Sequence, residues 1–182
     1  MRRVKTEIRQ ARRCTDAEIA AFCCFVRQGD EVDPRGLEGR VRQRGKALVF
    51  LYVDNVLVGV GALKKPDKRY RDDVFLSAGV PKESSAFDLE LGWVSVPEEH
   101  RGRHYSRVLS VAAMTQADGA ATFATTRADN PAMQRTLEHL GFRRAGGSWP
   151  SKRRTHHLVL YAMPPNNAMQ LRKPAQASEP RG

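Results

Sequence analysis

Cysteine is scarce in this chain, and the three present, Cys14, Cys23 and Cys24, form an odd set with no CxxC spacing. A disulfide framework or a structural zinc site therefore lacks its ligands. Cys23 and Cys24 fall on a predicted helix, where buried thiols serve as small apolar residues. Long hydrophobic runs are missing too: none could span a bilayer, and no membrane partner is expected. The opening MRRVKTEIRQARRC has no apolar stretch behind its basic residues. It does not read as a secretory signal, so a cytoplasmic protein is expected. Acid is short as well, with 20 Asp and Glu against 31 Lys and Arg, for a net charge of +11. Such a field attracts polyanions, whether nucleic acid or a phosphate-bearing cofactor, and equally fits a plain solvated surface. No zinc-finger spacing and no aromatic-plus-basic RNA signature selects nucleic acid.

What is there suits one α/β domain over residues 1–163, with 164–182 expected as a disordered tail rich in Pro, Asn, Gln and Ala. A short strand is predicted over 3–10. Thr15-Asp16-Ala17-Glu18 reads as a capping box opening a helix that ends near Gly29. A second short helix is predicted over 36–44. KALVFLYV and VLVGVGALK form a hairpin around Asp54-Asn55, a pair that tolerates positive φ. KKPDKRYRDD is a loop or a surface helix. A strand over 87–96 leads through a turn into a helix running to about Asp118, followed by a strand over 122–127. Asn130-Pro131 opens a helix that stops at Gly141, and HHLVLYAM is the last strand. The unit 87–127 is a βαβ crossover, so strands 87–96 and 122–127 should be adjacent and parallel. The fold class is a single-domain, mixed and mostly antiparallel central sheet, with that parallel unit and flanking helices.

Along FDLELGWVSV, a period of two puts Phe87, Leu89, Leu91 and Trp93 on one face. Asp88, Glu90, Gly92, Val94 and Val96 share the other. Two carboxylates beside a glycine on a central strand are costly to bury unpaired. They read either as salt-bridged acids or as a general base, Glu90 with Asp88 as substitute. The strand then runs into EEHRGRHYSRVL, where free amides at a helix start, helped by Arg101 and Arg103, favour an anion.

The succession of strand, R-G-R-H-Y-S turn, helix, strand and N-P-x5-L-x-x-L-G-F resembles the GNAT superfamily of acyl-CoA N-acyltransferases. The likeness is strong over 87–142, looser over the hairpin 46–64, and absent from the tail. It implies acetyl-CoA as cosubstrate and an amine as acceptor: a small molecule, a peptide or an aminoacyl-RNA. The family's turn, R/Q-x-x-G-x-G/A, wraps the coenzyme A pyrophosphate. By resemblance the cofactor contacts are Val94, Val96, Arg101, Gly102, Arg103, His104, Tyr105, Ser106 and Asn130. His104 replaces the first turn glycine, and Leu137 stands where the family often carries a Tyr as general acid. Tyr161, His139 and His157 are alternative proton donors by chemistry alone. The resemblance leaves a homodimer open. The competing reading is a catalytically impaired, coenzyme A-binding fold that serves as a basic module for nucleic acid or protein.

Overall fold

The computed structural model describes residues 3–29, 32–153 and 155–165; residues 166–182, most of the expected tail, lie outside the described residues. Seven strands form one sheet: β1 Val4–Arg9, β2 Gly45–Val53, β3 Val56–Lys64, β4 Leu89–Ser95, β5 Thr122–Arg127, β6 Arg143–Pro150 and β7 His157–Met163. Their order is β1-β2-β3-β4-β5-β7-β6, and all pairs are antiparallel except β4–β5. Among the described residues five helices flank it: α1 Asp16–Gln28, α2 Leu37–Arg44, α3 Lys68–Ser77, α4 Tyr105–Met114 and α5 Pro131–His139. None of them is long and apolar enough to cross a membrane.

Local chemistry sets many of these boundaries. Thr15 and Glu18 close a complete capping box at the start of α1. Asp54 and Asn55 both have positive φ, at 50° and 66°, the pair of left-handed residues that a two-residue hairpin turn requires. At the end of α5, Gly141 takes φ 94° and the Phe142 amide reaches back to the Leu137 carbonyl, satisfying a carbonyl the helix leaves free. α4 is shorter than its apolar pattern suggests. Thr115 Oγ1 bonds the Ala112 carbonyl at 2.7 Å, and the amides of Gln116 and Ala117 reach back only three residues, so the helix unwinds after Met114.

The core divides by sheet face. On one side α4 and α5 cover Val49, Leu51, Leu63, Leu89 and Leu91. On the other, α1 buries Ile19, Phe22, Cys23 and Val26 against Leu48, Phe50 and Val60. Each large side chain so buried contributes about 1.5–3 kcal/mol. A third cluster sets Phe75 of α3 against Phe87, Phe123 and Leu160. Gly59 and Gly61 on β3 make room for α4. A Cβ at Gly59 would stand 3.1 Å from Leu109 Cδ1, and one at Gly61 would stand 3.4 Å from Leu109 Cβ.

Strand β6, which carries Trp149, has no counterpart among the elements expected from the sequence. Its register breaks between Ala145 and Trp149, and Gly146 has φ 66°. A Cβ at Gly146 would lie 2.0 Å from the Ala78 carbonyl oxygen, so α3 and the strand meet through bare backbone.

Candidate active site

Strand β4 builds the centre of the site by losing its partner. It pairs with β5 only at Leu89–Thr122 and Glu90–Phe123, while β5 continues beside β7 through Arg127. Beyond Glu90 the two parallel strands part, and among the described residues the β4 edge facing β5 has no strand to bond. On its other edge, β4 carries one extra residue between Gly92 and Ser95 relative to β3. This bulge sits at Trp93, whose φ of 52° is left-handed.

The bulge corrects the expected alternation. Trp93 does not stay with Leu89 and Leu91; it packs on the α1 side, with its ring centroid 6.2 Å from that of Phe22. Val94 and Val96, expected beside Glu90, instead join Leu89 and Leu91 against α4. Ser95 bonds the Phe25 carbonyl at 2.6 Å and ties the strand end to α1.

Glu90 lies at the point of divergence, 3 % exposed. Lys64 Nζ is 2.9 Å from its Oε2, an ionic contact without hydrogen-bond alignment. The Tyr70 hydroxyl donates to Oε1 at 3.1 Å. Tyr70 as a whole is 42 % exposed, while its hydroxyl end turns inward to the buried Glu90. Burial of that end, and then the charge of Glu90, push the phenol well above its ordinary pKa, so it stays protonated. Asp88 stands apart: it is exposed and paired with Arg71 Nη1 at 3.0 Å, not beside Glu90. Lys64 and Tyr70 were not among the expected site residues. One ends β3 and the other opens α3, so only the tertiary fold brings them together.

The turn from 98 to 106 lies at the other end of β4. A 3-10 turn, Glu98–His100, precedes Arg101, and α4 starts at Tyr105. The amides of Gly102, Arg103, His104, Tyr105 and Ser106 find no backbone acceptor among the described residues. Gly102 has φ 75° and open space where a Cβ would be. His104 is the residue before α4, with φ 59°, and its side chain makes no cap hydrogen bond. It borders an apolar groove between β1 and α4, alongside Thr6, Ile8, Val108 and Val111. Tyr105 is buried in the core, whereas Arg103 is exposed. Arg101 turns back, with Nε donating to the Val96 carbonyl at 3.2 Å, beside a hollow of about 270 Å³ that Gln28, Ser95 and Glu98 also line. A run of free amides at the start of a ten-residue helix is the donor set a pyrophosphate needs, so the residues present fit coenzyme A.

The remaining candidates are spread over the C-terminal elements. Asn130 is the N-cap of α5, its Oδ1 accepting from the Met133 amide at 3.1 Å. Leu137 is fully buried. Tyr161 donates to Glu138 Oε1 at 3.0 Å and is tied to α5; burial and that hydrogen bond raise its pKa. His139 bonds the Arg135 carbonyl near the end of α5, and His157 is exposed at the start of β7.

A model of the acetyltransferase (GNAT) family matches residues 13–142. No curated protein matches the chain. Among solved structures, the fold is similar to FeeM, an N-acyl amino acid synthase from uncultured soil microbes. The TM-score is 0.71 at 12 % identity, over 94 % of this chain and 96 % of that one. The ribosomal-protein-S18-alanine N-acetyltransferase from Escherichia coli gives a TM-score of 0.62 at 12 % identity, over 88 % and 94 %. The putative acetyltransferase yncA from Salmonella typhimurium, solved with acetyl-CoA, gives 0.61 at 16 %, over 96 % and 98 %. At such identities these likenesses establish the fold alone.

Proposed function

The chain belongs to the GNAT family of acetyltransferases, and from that premise we propose that it transfers an acetyl group from acetyl-CoA to a primary amine, with Glu90 as general base. The observation that carries this reading is the buried Glu90 carboxylate where β4 and β5 separate. Acetyl-CoA supplies the activated acyl group. The amides of Gly102 to Ser106 and the dipole of α4 hold its pyrophosphate, and the free edge of β4 bonds the pantetheine and polarises the thioester carbonyl. Arg101 and Arg103 add positive charge at the turn, and Asn130 borders the cofactor from α5.

Glu90 takes a proton from the acceptor ammonium, directly or through one water. Asp88 is the weaker candidate because it is exposed and its charge is committed to Arg71. For the departing thiolate, Tyr70 is the phenol beside Glu90, whereas Tyr161 is tied to α5. Isothermal calorimetry with acetyl-CoA tests the premise, saturable binding being expected. No heat at high micromolar cofactor would sink it. Thiol release on mixing with a panel of amines then tests transfer.

A further inference from the structure

Lys64 lies across the next strand. A Cβ added at Gly92 would stand 2.8 Å from Lys64 Cε and 3.0 Å from Nζ, so the missing side chain at 92 is what lets the lysine stem pass over β4. The ammonium ends 2.9 Å from Glu90 Oε2 and 4.6 Å from the Trp93 ring centroid, with the Tyr70 ring at 5.9 Å. Trp93 reaches that place only because the bulge turns it to this face. Lys64 is 9 % exposed, in contrast to Lys5 and Lys152 at the surface. An unbranched primary ammonium is therefore held, largely out of water, against the one buried carboxylate of the site. It lies over the strand whose free edge faces the acyl position.

We propose that Lys64 is itself an acyl acceptor, so that in the absence of an external amine the protein acetylates this residue. The inference rests on the function proposed above. The Lys64 ammonium passes one proton to Glu90, and the freed lone pair attacks the thioester carbonyl. The amide N–C bond forms as the C–S bond breaks, and coenzyme A leaves as a thiolate that takes up the second proton shed by the Lys64 nitrogen. No oxidant or reductant is involved. The product is a neutral acetyl-lysine, which removes the cation beside Glu90 and fills the position an incoming amine would use. Self-acetylation is thus a stop on the enzyme, and an abundant acceptor amine protects against it.

The test incubates the full chain with acetyl-CoA and no amine, and follows intact mass, peptide mapping and residual transfer activity together. One acetyl group per chain at Lys64 is expected, rising as activity falls, suppressed by excess external amine and absent in Glu90→Gln. Lys64→Arg keeps a positive charge that cannot be deprotonated. Its activity, whatever its starting level, should not decline during the same incubation. The idea is overturned if acetyl-CoA binds and thiol is released with amines while Lys64 stays unmodified. Acetylation scattered over exposed lysines such as Lys152, and unaffected by Glu90→Gln, overturns it equally. Failure of acetyl-CoA to bind at all is a different result, because it removes the proposed function first and this inference with it.

Discussion

Strand β4 and the turn that follows it each hold a non-glycine residue in the left-handed region, Trp93 at φ 52° and His104 at φ 59°. Such a conformation costs about 1–2 kcal/mol. At Trp93 the cost is met by packing, because the ring lies against Phe22 and under the Lys64 ammonium. At His104 little packing opposes it: the residue is exposed and its side chain caps nothing. The strand is therefore a fixed frame whose polar groups already pair with one another. The turn leaves donors unpaired. Damage in the strand should appear in chemistry and stability, and damage in the turn in cofactor affinity.

The largest effect should follow Glu90→Gln. Turnover is expected to fall about a hundredfold or more, the usual worth of a positioned base. The calorimetric affinity for acetyl-CoA should stay unchanged, and the urea midpoint should drop because Lys64 loses its counter-charge. Unchanged turnover would remove Glu90 from the mechanism. Trp93→Ala comes next. Loss of a half-buried indole, partly offset by relief of the left-handed strain, should lower stability by about 2 kcal/mol in urea unfolding. If cofactor affinity falls in step with stability, the strand and the turn after it are not separable.

Arg101→Glu should weaken acetyl-CoA binding about tenfold, or ~1.4 kcal/mol, and leave turnover at saturating cofactor near its starting value. Slow turnover at saturation would give Arg101 a part in the chemistry. His104→Gly should have the smallest effect. Cofactor affinity stays equal or improves, and stability rises by up to about 1 kcal/mol as the strain is relieved. A clear loss of affinity would mean that the imidazole contacts phosphate, making the two left-handed residues alike after all.

Elements with local punctuation were legible in the sequence. The Thr15–Glu18 box, the Asp54-Asn55 turn, the Asn130-Pro131 helix start and Gly141 all gave boundaries close to those observed. The parallel neighbours β4 and β5 followed from the crossover length. What stayed hidden depends on contacts far apart in the chain. Alternation along β4 is the right rule until Trp93, and nothing in the letters G-W-V announces a bulge that hands the tryptophan to the other face. Strand β6 was obscured because Gly146 and Gly147 look like a loop, although Gly146 is demanded by the nearby Ala78 carbonyl. Glu90 was visible as a carboxylate on a central strand. Lys64 and Tyr70 were lost among surface charges of KKPDKRYR. The signal that could have found Lys64 is its position at the end of an otherwise buried strand, opposite Glu90, with Gly92 leaving the gap.

The parting of β4 from β5 divides the polypeptide as well as the sheet. Strands β1 to β4 all precede α4 in the chain, and β5, β7 and β6 all follow it. Away from that seam the halves stay joined, by α3, which carries Phe75 onto Phe123 and Leu160, and by the core under α4 and α5, where Leu51 and Leu91 meet Leu137 and Val159. A molecule lodged between the two strands therefore touches an early half and a late half at once, and acts as a rivet between them. Its binding energy then adds to the cohesion of the whole chain, by RT ln(1 + [L]/Kd) at free concentration [L]. A cofactor held there should protect amides of β2 and of β7 alike against hydrogen exchange, although neither strand borders the gap.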